Sequence, residues 1–228
     1  MVRKFITVLA FAGLAAAAKN EPAEAQKRVQ EADRVLREIM DVPDKGIPQD
    51  LMDKAHCVAI VPSMKQGGFI VGAKYGKGVL MCRKAHGGWK GPATVRVEGG
   101  SFGLQIGGGE VDVVLLIMNA SGAEKIMKSQ FKIGGEAGAM AGPVGRTVQA
   151  ETDAYMRAEI LGYSRSRGVF AGIALSGSTL REDLDDNEAL YGSRMTSQEI
   201  LDQGRAPAPA AAKPLIGTLN RYSMWEKK

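Results

Sequence analysis

Glycine placement constrains this chain more than any other feature. The 228 residues include 29 glycines, about 13% where ~7% is usual, and most fall between Gly67 and Gly177. Glycine weakens helices and punctuates strands, so this distribution excludes a helical bundle and predicts many short strands joined by tight turns. The run from Gly168 to Gly177 is the sharpest case. There Gly168, Gly172 and Gly177 interrupt Val169, Phe170, Ile173, Ala174 and Leu175, which predicts a bent strand in the core. Arg165 and Arg167 precede it, and Arg181 and an acidic patch closing on Asn187 and Tyr191-Gly192 follow it.

Residues 1–25 read as a secretory signal peptide. Arg3 and Lys4 form a basic start, Phe5–Ala18 an apolar core too short to span a bilayer, and small residues follow. Cleavage fits after Ala16–Ala18 or after Ala25. The expected location is therefore periplasmic or secreted, with peripheral membrane association, and nucleic acid is not expected as a partner. The net charge of +5 suits an anionic partner without choosing one.

The pattern of residues 26–41 predicts an amphipathic helix. Val29, Ala32, Leu36 and Ile39 recur at helical spacing opposite Lys27, Arg28, Glu31, Arg34, Arg37 and Glu38. The interleaved acids favour packing on the domain's sheet over lying on a membrane. A short helix is expected in 47–55, then a strand at 57–61 ended by Pro62. From Gly67 onward, strands of four to eight residues bounded by glycine or proline are expected. Residues 111–119 read as a strand buried on both faces, and Asn119 or Ser121 as the cap of a helix reaching Ser129. A strand is expected within 151–164 and a helix near 197–203. Residues 205–214 read as an extended, mobile linker leading into a C-terminal tail.

Nothing catalytic stands out. Gly99-Gly100-Ser101-Phe102-Gly103 matches G-x-S-x-G, yet both histidines, His56 and His86, precede the serine, against the order an α/β-hydrolase needs. The glycine pairs lack the Lys-Ser/Thr ending of a phosphate-binding loop. The carboxylates Glu110 and Asp112, and Asp185 and Asp186, read as solvated. Cys57 and Cys82 fit no zinc spacing, so no metal or cofactor is expected; they read as two buried thiols or as a disulfide.

Within 162–192, Tyr163-Ser164, Arg167-Gly168, Phe170-Ala171-Gly172, Leu175, Gly177-Ser178, Asn187 and Tyr191-Gly192 resemble the SYLF domain, a lipid- or actin-binding domain of yeast and vertebrate adaptor proteins. Gly103–Gly107, Asp112, Val113–Met118, Ala137-Gly138 and Pro143–Gly145 extend the likeness, which covers roughly 27–192. The resemblance implies a non-enzymatic module that binds acidic phospholipids. Its fold would be α+β, a mainly antiparallel, strongly curved or barrel-like sheet with a few flanking helices. The leader resembles the bacterial, exported branch, where actin is not an expected partner and lipid A, phosphatidylglycerol or cardiolipin would supply the anion.

The resulting organisation is a signal peptide at 1–25, a SYLF-like domain at 26–203, and a Pro/Ala-rich linker and tail at 204–228. Chosen by charge and neighbouring glycine, Lys65, Lys74, Lys77, Arg83, Lys84, Arg165 and Arg167 are the expected head-group contacts. An envelope protein-interaction module is the alternative, with a partner protein in place of lipid.

Overall fold

The computed structural model describes residues 21–42, 46–68, 71–84, 87–102, 107–135, 138–143, 158–166, 169–172, 175 and 177–223. Helix α1 spans Glu21–Met40. It opens on Glu21 and Glu24 and carries Arg37 in its last turn, charges that suit the two ends of the helix dipole. Ala25, Val29, Ala32, Val35, Leu36 and Ile39 are fully buried. Burying the four larger ones is worth about 6–12 kcal/mol before entropy is charged. The apolar stripe therefore belongs to the core, as the interleaved acids indicated. The predicted boundary at residue 25 falls inside α1, and Ala25 is itself a core residue.

A short α2 (Gln49–Lys54) leads into four long strands: β1 (Cys57–Gly68), β2 (Val71–Arg83), β3 (Trp89–Phe102) and β4 (Gly107–Ile117). Helix α3 (Ala120–Ile126), capped by the Asn119 side chain accepting from Gly122 N, separates them from the shorter strands. These are β5 (Gln130–Lys132), β6 (Ala139–Ala141), β7 (Ile160–Ser166), β8 (Val169–Gly172) and β9 (Thr179–Glu182). The order is β5-β9-β3-β2-β1-β4-β7-β6, with β8 also on β7; every pairing is antiparallel except β6 with β7. The sheet curls into a half-barrel and, with the six α-helices among the described residues, makes the fold α+β.

Two strand expectations need correction, and a third is described only in part. Pro62 does not end β1. The register against both β2 and β4 slips by one residue around Pro62 and Ser63, so the proline occupies a bulge, where its missing N–H breaks no ladder. Ser63 has a φ of 46°, and its N–H donates to Asp112 Oδ1 at 3.0 Å. Glycine also fails as a strand boundary in β2. A Cβ on Gly78 would stand 2.2 Å from the Ile60 carbonyl oxygen, and one on Gly76 2.7 Å from Val61 Cγ1. Those glycines let β1 press against β2, and the expected short segments fuse into strands of 13 and 14 residues. Third, Val169–Gly172 is the outer strand of a β7–β8 hairpin, with Val169 70% exposed. Leu175, the next described residue, is buried in the core, and Gly168, Ile173 and Ala174, on which a bend would turn, lie outside the described residues.

Alternation along the strands makes two cores. Val58, Ile60, Val79, Met81, Val114, Leu116 and Leu161 meet α1, α2 and the C-terminal helix α6 (Lys213–Tyr222) on one face. Ala59, Val61, Leu80, Val95, Val113, Leu115 and Ile117 face the other way, towards α3, β5 and α5 (Ser197–Leu201). The two cysteines join there: Cys57 and Cys82, directly opposite on β1 and β2, form a disulfide. The end of the 205–214 stretch expected to be a mobile linker is folded, and the tail after it docks. Ala210–Ala212 form a 3-10 turn, and Ala212, Leu215 and Leu219 are fully buried beside α1. The strand expected in 151–164 begins, among described residues, at Ile160, since 151–157 lie outside them.

Candidate binding surface

The stretch 179–192 organises the helix-bearing face of the sheet. Helix α4 (Leu184–Tyr191) follows β9 at once, with Asp183 as its N-cap and Gly192 as a left-handed C-cap at φ 74°. Asn187, fully buried, accepts from Thr94 N at 2.7 Å and donates to the Met195 carbonyl at 2.9 Å. Tyr191 Oη donates to the Pro92 carbonyl at 2.8 Å, and burial pushes its phenol pKa well up. These side chains rivet α4 to β3. They contact the protein's own backbone and leave nothing for a ligand.

Of the seven cations expected at a head group, the six described separate into two classes. Lys77 lies in an ion cluster, with Nζ 2.8 Å from Asp183 Oδ2 and 3.2 Å from Asp186 Oδ2, while Arg28 of α1 also pairs with Asp186. Burial alone would lower the Lys77 pKa; the bonds and charges of the two aspartates outweigh it and raise it. Burial likewise works against the Asp183 carboxylate, and Lys77 overcomes it, holding that pKa below its usual value. Arg165 bridges Asp112, at 2.7 Å, and Glu38 of α1. Its pKa is raised because those carboxylates outweigh its own burial.

Arg83 is the third internal cation. Its guanidinium donates to the carbonyls of Ala55, Met52 and Asp53 at the end of α2, and stacks 4.5 Å from the Trp89 ring centroid. Burial lowers its pKa to about 10, against the pull of Asp53, so it stays charged at neutral pH. Lys77, Arg83 and Arg165 are therefore struts holding helices to the sheet. Charge beside glycine selected them in the sequence; their carboxylate and carbonyl partners lie far away in the chain.

Lys65 and Lys84 are exposed and Lys74 is half-buried; Arg167 lies outside the described residues. The three do not make one site. Ten residues of β2 separate Lys74 from Lys84, roughly 33 Å of extended strand. Lys65 and Lys74 belong to the far end of the β1–β2 hairpin, where glycines crowd four adjacent strands. Gly108, Gly67, Ala73 and Gly100 are successive register partners there. Tyr75, 46% exposed, stands directly opposite Lys65.

The sequence reading passed over a second group. Lys77, Arg96 and Arg181 are register partners on β2, β3 and β9, so three cations line up across one face. Glu98, two residues beyond Arg96 and on the same face, forms ion pairs with both, its oxygens 3.1 Å from Arg96 Nε and 3.4 Å from Arg181 Nε without hydrogen-bond geometry. The side chains of Arg96, Arg181 and Glu98 are 35%, 40% and 38% exposed. Period-two alternation in ATVRVEG could have placed Arg96 and Glu98 on one face; the β3–β9 pairing that brings Arg181 beside them was out of reach.

Ser101 lies inside β3, opposite Gly72, with strand where a nucleophile elbow needs a helix. Among the described residues no group of His, Cys, Asp and Glu could hold a metal ion, and no helix is long and apolar enough to cross a membrane.

Residues 98–222 match the model of the Ysc84 family, described as "Las17-binding protein actin regulator". The chain belongs to the Ysc84 family. The human SH3 domain-containing YSC84-like protein 1 is 30% identical over 208 residues, 89% of this chain and 60% of that protein. The Saccharomyces cerevisiae protein YSC84 is 29% identical over 206 residues, 87% of this chain and 44% of its own length. The LAS seventeen-binding protein 3 of the same species is 34% identical over 181 residues, 77% and 39% respectively. The chain thus spans about 61% or less of the Ysc84-family relatives it matches. The family match confirms the SYLF resemblance, and its description is that of a binding and regulatory family.

Proposed function

We propose that this Ysc84-family domain is a non-enzymatic module that binds anionic phospholipid head groups at a membrane surface, exported behind its N-terminal leader. The observation that carries the reading is the glycine-rich end of the β1–β2 hairpin. Lys65 and the half-exposed Tyr75 stand side by side on one face, and Lys74, next in sequence to Tyr75, points to the other. An aromatic ring between cations suits the interface between head groups and acyl chains, and each cation near an anionic surface is worth about 1 kcal/mol. Bare glycine strands let that end approach a flat surface closely. The disulfide agrees with an oxidising compartment outside the cytoplasm.

Lipid contact requires no release of α1. Withdrawing that helix would strip Val58, Ile60, Val79 and Met81 of their cover. This replaces apolar insertion of the helix with docking by the sheet's end.

Co-sedimentation with vesicles tests the reading. The chain is expected to pellet with phosphatidylglycerol or cardiolipin vesicles, to release as salt rises, and to ignore neutral phosphatidylcholine. K65E/K74E is expected to abolish pelleting; equal partitioning onto neutral vesicles, or none onto either, refutes the proposal. The names of the relatives favour a second reading, a protein-interaction module. One stoichiometric envelope protein captured by a chain that binds no vesicle would establish it.

A further inference from the structure

We infer that Arg96 and Arg181 form a two-guanidinium clamp for a phosphomonoester dianion, with Glu98 as the resident counter-charge that such a ligand displaces. Like charges placed directly opposite on neighbouring strands repel, and here three occur in one row. Lys77 is balanced by Asp183 and Asp186. Arg96 and Arg181 share the single carboxylate of Glu98, and each meets it through Nε. Neither guanidinium makes a hydrogen bond from its terminal nitrogens to any described residue. The free edges of two planar forks are therefore left at a half-exposed surface, about one strand spacing apart.

The chemistry of that pair selects the ligand. A guanidinium binds two phosphate oxygens at once, and two guanidiniums side by side match a tetrahedral group carrying three free oxygens and about two charges. A phosphodiester offers two such oxygens and one charge. Gln130, opposite Arg181 on β5, and Lys132 two residues on are both exposed on the same side and widen the rim. The nearby acids have partners of their own: Asp183 and Asp186 pair with Lys77 and Asp185 with Arg194, and Asp183 acts on Arg96 through charge alone.

The phosphomonoester could reach the clamp as a lipid head group or as a soluble phosphate. The first source rests on the membrane reading above; the second does not. The purified full chain would be titrated with inorganic phosphate by calorimetry. It would also be sedimented with phosphatidylcholine vesicles containing equal mole fractions of phosphatidic acid, a monoester, or phosphatidylglycerol, a diester.

Wild type is expected to bind phosphate and to prefer phosphatidic acid. R96Q/R181Q should lose the monoester binding by at least about tenfold, as removal of charge-assisted hydrogen bonds implies, and keep its phosphatidylglycerol binding. E98Q, which frees both forks, should tighten monoester binding about threefold or more. Binding should weaken below about pH 6, where phosphate takes up its second proton. Phosphate binding without vesicle binding upholds the clamp and removes the membrane reading. Equal pelleting on both vesicles with no phosphate binding removes the clamp and leaves the membrane reading intact. If R96Q/R181Q does not fold, the sign of the E98Q effect decides: unchanged or weaker binding overturns the inference.

Discussion

Replacing Lys77 with methionine separates a strut from a ligand contact. The side chain lies in the helix–sheet seam with its ammonium 2.8 Å from Asp183 Oδ2. The Asp183 side chain is 2% exposed and also caps α4 by accepting from Asp186 N. Lys77→Met keeps the aliphatic bulk and leaves that carboxylate buried, with Arg96 as the remaining charge that favours its ionised form. Breaking one side of a buried pair costs about 3–5 kcal/mol. The lysine is 30% exposed, so water and Arg96 relieve part of this, and about 3 kcal/mol is expected.

Acid has opposite effects on the two proteins. In the wild type the Asp183 pKa is depressed, so its stabilisation is present above the unfolded value and is lost as pH falls through the folded one. The Lys77 pKa is raised, so its contribution is complete below the unfolded value and disappears only as pH rises through the folded one. In Lys77→Met, burial, its strongest opponent gone and only the Asp186 N–H and the Arg96 charge left against it, is expected to raise the Asp183 pKa above its unfolded value of about 3.9. Protonation then favours the folded state, and the gap between the proteins narrows as pH falls from 7 towards 4.5. K77M/D183N should recover at least about 1.5 kcal/mol, because asparagine still caps α4 and no charge is stranded. Urea unfolding followed by circular dichroism at several pH values measures each quantity. A loss below about 1 kcal/mol, or a gap that ignores pH, refutes the reasoning.

Other outcomes follow from the packing. Gly78→Ala sets a Cβ 2.2 Å from the Ile60 carbonyl oxygen, which no rotamer relieves; a loss of about 2 kcal/mol or more is expected, and a neutral result would mean β1 and β2 separate freely. Asn187→Leu strands Thr94 N and the Met195 carbonyl, and should lower stability by about 2–4 kcal/mol in denaturant while vesicle binding by the folded fraction stays unchanged. C57A/C82A opens a cross-link between positions 25 residues apart and should lower stability by about 3 kcal/mol on loop entropy. Thiol titration of denatured, unreduced chain is expected to find no free thiol.

The α1 stripe, the double-sided apolar run of β4 and the Asn119 cap were legible because each is a local pattern. The glycines misled because glycine has two uses. It ends strands where the chain turns, and it sits inside them where backbones touch, as Gly78 does against Ile60. Only the partner strand tells these apart. Pro62 misled for the same reason, since a bulge absorbs what a ladder cannot. The proposed contact residues were harder still. Arg83 and Arg165 look in sequence like Lys65 and Lys84, and differ in whether the fold brings oxygen acceptors to them.

Those partners explain why a family signature need not mark a binding site. Asp183, Asn187, Tyr191 and Gly192 hold α4 to β3, and through Asp186 the cluster reaches Lys77 and Arg28 of α1. Changing any of them loosens the helix layer over the sheet. The groups we propose for a ligand are those the fold does not use: Lys65 and Lys74 at the hairpin end, and the outer edges of Arg96 and Arg181. Such residues can be exchanged among relatives with little effect on folding. Differences in bound ligand between Ysc84-family members should therefore map to these positions, while the 179–192 stretch keeps the same internal partners.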